Sequence, residues 1–185
     1  MNEGKIENVL GAFLLALSDS MIREMESHAP EPGPAVSALA LLGDAPGMSI
    51  EKLRRILGLS HPGAVRLVDR LAAEGLVRRH PSTSDRRAVE VHLTELGRKS
   101  SAAILCARRR RMTAALQHLE PFERVAFGEL TEKMLVQFIK GIEDACSICR
   151  LCDHNSCTDC PVNQALFSEE RTPIAHSGRT VTQIR

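Results

Sequence analysis

Between Leu76 and Gly97 the chain reads L-V-R-R-H-P-S-T-S-D-R-R-A-V-E-V-H-L-T-E-L-G, and no other stretch limits the fold as tightly. Two short runs of β character flank a turn built from Pro81, Ser82, Thr83, Ser84 and Asp85. In the second run Val89, Val91 and Leu93 alternate with the polar Glu90 and His92. That is the period of a half-buried strand, so the stretch predicts a β-hairpin. Its tip is cationic, with Arg78 and Arg79 leading into the turn and Arg86 and Arg87 leaving it. A hairpin of this kind directly after a helical stretch predicts a wing that reaches for a polyanion. A solvated hairpin with incidental charge is the plainer alternative.

The segment before the hairpin supplies its partner. In G-M-S-I-E-K-L-R-R-I-L-G-L-S-H-P-G-A-V-R-L-V-D-R-L-A-A-E-G-L-V, Ser49 is placed to cap a short helix, with Lys52 where a capping box would need Glu. Ile50, Leu53, Ile56 and Leu57 form its apolar stripe, Gly58 ends it and Leu59 fills the turn. Ser60 caps the next helix, and Pro62 sits in its first turn, where a missing N–H is harmless. Val65, Val68, Leu71 and Ala72 are expected inside, and Gly75 ends the helix. Two short helices with a tight turn, the second polar at its start, predict a helix-turn-helix.

Charge is distributed to match. Residues 1–51 hold 2 basic and 8 acidic side chains (net −6), residues 52–111 hold 15 and 5 (net +10), and residues 112–185 hold 7 and 10 (net −3). An overall charge of +1 therefore conceals one concentrated basic block between acidic flanks. That pattern places the middle of the chain against a polyanion. Aromatic residues are few, and Leu, Ala, Val, Ile and Met carry the apolar content, which favours helices.

Both ends are expected to be helical. Ile6, Val9, Leu10, Phe13, Leu14, Leu17, Met21 and Met25 recur at three and four, and the proline-rich His28–Pro34 stops that helix. A second helix is expected from about Ala35 to Leu42. After Thr94, in an N-cap position, a long helix is expected to about Leu119, carrying the run Arg108–Arg111. Four consecutive helical residues span about 400° of rotation, so they cannot all face one partner. A solvated or internally ion-paired face is one reading of that run and a phosphate contact the other. Pro121 opens a further helix, whose stripe Phe122, Val125, Leu130, Met134, Phe138 and Ile142 extends to about Ala145. These terminal helices carry more apolar surface than one small domain can cover, which predicts a homodimer. The longest apolar run, Val9–Leu17, is too short to span a bilayer, and no signal peptide is visible, so a cytoplasmic protein is expected.

Asp85–Gly97, D-R-R-A-V-E-V-H-L-T-E-L-G, resembles the wing-and-exit signature of MarR-family transcription regulators, D-x-R followed by a strand and L-T-x-x-G. The resemblance extends through the helix-turn-helix before it and covers about residues 5–145. It implies a fold that is mainly α with a small β-hairpin wing, a winged helix-turn-helix domain plus a helical dimerisation domain. It implies a homodimeric, non-enzymatic regulator, repressor or activator, on a pseudo-palindromic operator in double-stranded DNA. Small aromatic acids between the dimer and DNA-binding regions are implied as effectors of the family, though no residue here names one. Arg87 occupies the position of the D-x-R arginine and resembles the residue that enters the minor groove, with Arg86 as its neighbouring alternative. At the start of the recognition helix Ser60, His61, Gly63, Ala64 and Arg66 lie nearest the bases, with Arg66 the candidate for guanine or, alternatively, for phosphate. Arg55 and Arg70 are assigned to phosphates, and Ser60 has a second reading as a cap alone.

Five of the six cysteines, Cys146, Cys149, Cys152, Cys157 and Cys160, crowd into C-S-I-C-R-L-C-D-H-N-S-C-T-D-C-P, outside the usual pattern of that family. The clustering indicates a thiolate site. Zinc accepts paired C-x-x-C units, although the connection between them is short for a zinc finger. An iron–sulfur cluster fits the dense spacing, including C-x4-C-x2-C from Cys152 to Cys160 with Pro161 following. Free or disulfide-forming thiols are the third reading, and Asp153 or His154 can replace a thiolate. Cys106, alone in a helix, reads as a small buried residue.

The chain thus divides into 1–34 (dimerisation helix and linker), 35–97 (winged helix-turn-helix), 98–145 (dimerisation helices), 146–165 (cysteine segment) and 166–185 (tail). The expected function is a DNA-binding transcriptional regulator, open to control by a metal or redox signal. The rival from another class is a thiol- or cluster-bearing redox protein that uses the helices as scaffold.

Overall fold

The helix at the centre of the molecule is also its most apolar. In the computed structural model, which describes residues 2–82, 89–154, 156, 157 and 159–167, α2 (Pro34–Asp44) is buried without interruption from Ala35 to Leu42. Such a helix must be surrounded. Against it pack α3 (Ile50–Leu57) through Leu53 and Ile56, α4 (His61–Ala73) through Leu67, Val68 and Leu71, and α5 (Glu95–Leu116) through Ile104 and Ala107, while α1 (Glu3–Glu26) lies along α5 and adds Met25 to the same core. The expected helix-turn-helix is present. Ser49 Oγ accepts the Lys52 N–H at 3.1 Å and Ser60 Oγ the Gly63 N–H at 3.2 Å, while Gly58 turns the chain between α3 and α4 at φ 64°.

The sheet has three strands in the order β1-β3-β2: β1 (Met48–Ser49), β2 (Val77–Pro81) and β3 (Val89–Leu93). The hairpin β2–β3 runs antiparallel, with Val77 opposite Leu93 and Pro81 opposite Val89. The sequence reading missed β1, which is only two residues long and lies just ahead of the α3 cap. Val91 and Leu93 enter the core, but Val89 is 40% exposed. The expected inward alternation therefore stops two residues short, because the hairpin extends beyond the helices that cover its base. The turn residues 83–88, including Asp85, Arg86 and Arg87, lie outside the described residues.

The L-T-x-x-G exit has a plain physical role. Thr94 Oγ1 donates to the Gly75 carbonyl at 2.7 Å and accepts the Gly97 N–H at 3.1 Å. The Thr94 N–H meets the Leu76 carbonyl at 3.0 Å. One threonine thus caps α5 and ties it to the end of α4. At Gly97 a Cβ would fall on the Leu76 carbonyl oxygen, so only glycine permits this approach.

The C-terminal third departs from expectation. One helix was expected from Pro121 to about Ala145, but α6 (Pro121–Leu135) passes into a 3-10 turn (Val136–Phe138) and stops. Ile139 there is extended, and α7 (Ile142–Ile148) begins after Gly141. The periodicity continued past the break because Ile139 seeds a second small core with Ala145 and Val162. Val162 belongs to α8 (Pro161–Phe167), a helix not foreseen, which takes in the first two residues of the expected tail. Residues 168–185 lie outside the described residues.

Candidate nucleic-acid interface and cysteine segment

The start of α4 is presented at the surface. Ser60, His61 and Pro62 are exposed, Gly63 is half-buried and Arg66 is exposed one turn further along. Ser60 is committed to capping, which leaves His61 and Arg66 as the projecting side chains of this end. His61 Nδ1 lies 3.9 Å from a Glu51 carboxylate oxygen. Ala64 requires correction: it is 0% exposed, because its position on α4 faces the protein interior, and its methyl group is not available to a base. The buried face also includes Leu67 and Val68 rather than Val65, which is only partly covered.

Both arginines assigned to phosphates, Arg55 and Arg70, are held by carboxylates, as are Arg54 and Arg79 beside them. Glu51 pairs with Arg54 at 2.7 Å and Arg55 at 3.0 Å. The two guanidinium groups, Arg54 first, draw its carboxyl down to about 2. Arg70 makes a two-pronged contact with Glu31, both N···O distances being 2.7 Å. On the hairpin, Arg79 pairs with Asp69 at 2.7 Å. These pairs are solvent-exposed, so each adds little to stability. They hold the guanidinium groups in an ordered row around α4 without sequestering them.

At the described base of the wing the polar side chains interlock. Ser82 Oγ donates to Glu90 Oε1 at 2.7 Å, and His92 Nε2 lies 3.3 Å from Glu90 Oε2. His80 meets the His92 ring edge-on at 5.2 Å. The Ser82 hydroxyl, followed by His92, holds the Glu90 carboxyl below the usual range.

Within the Arg108–Arg111 run, Arg110 and Arg111 are ion-paired inside the chain, as one of its two readings had it. Arg110 and Arg111 both grip Glu24 of α1, Arg110 at 2.8 Å, and this clamp joins the first helix to α5. Arg110 also donates to Cys106 Sγ at 3.6 Å. Cys106 is only partly buried.

The cysteine segment lies against the winged domain. Cys146 and Leu151 pack on the main core, α7 lies along α3, and His154 Nε2 sits 3.5 Å from Asp44 Oδ2 at the end of α2. Burial pushes the Asp44 carboxyl up against the pull of His154. Thiols pair within each C-x-x-C unit: Cys149 with Cys152, and Cys157 with Cys160. The Cys149 contact holds Cys152 down to about 6, and burial raises Cys157 to about 11. The Cys146 thiol faces Lys52 and Glu143 instead. Among the described residues no three His, Cys, Asp or Glu side chains converge at metal-ligand distances.

A cavity of about 320 Å³ separates α1 from the winged domain. Ile22, Met25, Val36 and Leu57 line it, and Glu26 and Arg150 lie at its edge. Among the described residues no helix is long and apolar enough to cross a membrane.

Comparison with known proteins agrees with this architecture. Residues 32–88, the core of the winged domain, match the model of the MarR family. An uncharacterised HTH-type transcriptional regulator of Bacillus subtilis, YfiV, is 30% identical over 96 residues, which are 52% of this chain and 60% of that protein. The chain thus spans about three-fifths of the length of that relative. A MarR-family regulator from Silicibacter pomeroyi superposes with a TM-score of 0.55 at 27% identity, over 75% of this chain and 92% of that one. A mutant of MepR from S. aureus, solved with an oligodeoxyribonucleotide, has the same fold at 16% identity and a TM-score of 0.56, over 72% of this chain and 98% of that one. The family match falls on the helix-turn-helix and its first wing strand, and the solved relatives extend over the flanking helices, so the chain has a winged-helix fold and is similar to the MarR family over that domain.

Proposed function

We propose that the protein is a DNA-binding transcriptional regulator, acting as a homodimer on a pseudo-palindromic operator and most simply as a repressor that occludes it. Members of this family are regulators rather than enzymes. The observation that carries the reading is the exposed Arg66 on α4, framed by Arg54, Arg55, Arg70 and Arg79. A guanidinium one turn into a helix that enters the major groove meets guanine edge-on in two hydrogen bonds. Surrounding arginines exchange exposed carboxylate partners for phosphates at small cost, so they add affinity without sequence preference. Arg87 is assigned by motif to the minor groove, with Arg86 as its neighbouring alternative.

Dimerisation is supported by the helices at the two ends of the chain. On α1, Ile6, Val9, Phe13 and Leu14 are exposed, and on α6, Phe122, Val125, Leu130 and Met134 are exposed. Phe13 and Phe127 already meet edge-to-face at 6.5 Å, so the two apolar faces adjoin. A second copy covers such a surface through an isologous contact. The cavity between α1 and the winged domain is placed to admit a small-molecule effector, and the cysteine segment to admit a metal or redox signal.

The test is selection of bound sequences from a genomic DNA library, followed by salt titration on the winning site. A two-fold symmetric motif, bound by a dimer and discriminated at one base pair by Arg66→Ala, is the expected result. Binding that shows no sequence preference in the selection overturns the reading.

A further inference from the structure

The cysteine segment poses a physical problem that its contacts do not solve. From Ile139 to Phe167 its own core is Ile139, Ala145 and Val162, with partly buried side chains around them. Three buried apolar side chains are far too few to hold some thirty residues in one conformation, since every ordered residue loses backbone entropy. Small units of this kind are ordinarily held by disulfides or a metal. This one contains five cysteines, and no disulfide joins them among the described residues.

Four of the thiols stand as two pairs that a bound cation would have to draw together, since among the described residues no three metal-binding side chains yet converge. Cys149 ends α7, and the Cys152 N–H turns back onto the Cys149 carbonyl at 2.9 Å, which sets the first pair of sulfurs side by side. Cys160 lies just before α8, following Asp159 in a left-handed conformation at φ 51°, and its thiol pairs with Cys157. Cys149 lies within electrostatic reach of both Cys157 and Cys160, and Cys152 of Cys157. Between the two pairs the Ser156 N–H meets the Asp153 carbonyl at 3.1 Å. Cys146 packs on the main core toward Lys52 and lines one cleft with Cys149 and Cys160, but it belongs to neither thiol pair.

We propose that Cys149, Cys152, Cys157 and Cys160 bind one zinc ion as a closed four-thiolate site, which fastens α7 and α8 to each other and the segment to α2 and α3. Four sulfurs at about 2.3 Å from zinc stand at the corners of a tetrahedron with edges of about 3.8 Å, close to the spacing of hydrogen-bonded thiols. A cation replaces the two pairwise sulfur contacts by one centre, and each sulfur that still carries a proton releases it to solvent, with no change of oxidation state. A four-iron cluster gives each thiolate its own iron and spreads the sulfurs apart, against the pairing seen here, whereas a two-iron cluster also takes thiolates two by two and is told from zinc by iron and inorganic sulfide. Arg108 lies close enough to Cys152 and Cys157 to offset the net negative charge of four thiolates around a divalent ion. His154, engaged with Asp44, anchors the site to the end of α2 rather than serving as a ligand. The site does not depend on what the winged domain binds.

The full-length protein, purified from cells supplied with both zinc and iron, is assayed for metal and inorganic sulfide, then exchanged with cobalt(II). One zinc per chain is expected, with the cobalt form showing the intense sulfur-to-metal charge-transfer bands of tetrahedral thiolate coordination. Cys152→Ser and Cys160→Ser should weaken zinc binding by about tenfold or more, whereas Cys146→Ser should retain full occupancy. Chelation should speed proteolysis within 139–167 while the winged domain keeps its helical circular dichroism, so that a folding defect in a variant is distinguishable from loss of the site. Iron with equimolar sulfide, a metal-free protein, or equal loss from Cys146→Ser would overturn the assignment.

Discussion

The winged domain and the cysteine segment are neighbours in sequence and in space, yet they are held by different means. Among the described residues the main core collects twenty buried apolar side chains from five helices and three strands, while the second core collects three. The first region is stable because its burial is shared across many elements, and no single contact decides its fold. In the second, local turns and thiols must do what burial cannot. The contrast also separates their expected roles. A surface that meets a rigid duplex needs a rigid support, and a segment close to marginal stability responds readily to a ligand.

Substitutions in the two regions should therefore differ in reach. The largest effect is expected from Gly97→Ala, where the added methyl falls on the Leu76 carbonyl and forces α5 away from the hairpin. A loss of about 3 kcal/mol is expected from overpacking, read as a lowered midpoint in urea for the whole protein. Unchanged stability would show that the α4–α5 junction is looser than its hydrogen bonds imply. Arg66→Ala should leave the urea midpoint in place and remove about 1–3 kcal/mol of operator affinity, concentrated at one base pair. If the loss is instead uniform over sequences and vanishes at high salt, Arg66 contacts phosphate.

Val162→Ala probes the other side of the comparison. It should raise proteolysis within 139–167 while moving the main unfolding transition by no more than about 0.5 kcal/mol, because the small core is a separate unit. A cooperative fall of the main transition would instead join the two regions into one.

The smallest effect concerns the clamp between α1 and α5. The hydrogen bond from Arg110, with Arg111 beside it, holds the Glu24 carboxyl below its usual range. A depressed folded-state value means that the stabilisation is present at neutral pH and down to the ordinary carboxylate range. It is lost as pH falls through the lowered folded value. The small stability difference between the parent and Glu24→Gln, measured in urea at a series of pH values, should be present at pH 7 and close on acidification.

Much of the winged domain was legible because its signals are local. Ser49, Ser60 and Thr94 each cap the helix that follows, and Gly58 and Gly75 both adopt left-handed conformations where a helix ends. Errors arose where tertiary contact outvoted pattern. Ala64 was placed among the base-reading residues by its position in the motif, but the rotation of α4 against α2 buries it. Val89 followed the strand alternation yet lies beyond the reach of the core. The apolar stripe after Pro121 continued in register through a real break at Ile139–Gly141, since a period reports which residues are buried and not in which core.

The amino-acid sequence by itself determined the order of helices through α5, the helix-turn-helix with its hairpin, the basic middle of the chain and the crowding of cysteines, because caps, turns and spacing act over a few residues. Tertiary structure alone decided which arginines are ion-paired and with which carboxylates. Glu31 reaches Arg70, Asp69 reaches Arg79, and Glu24 reaches Arg110 across 86 positions of chain. It also decided that the thiols pair two by two beside α2 and α3, with Cys146 left out. Long-range pairing depends on how helices pack, and packing depends on all of the buried side chains at once, so no local spacing can encode it.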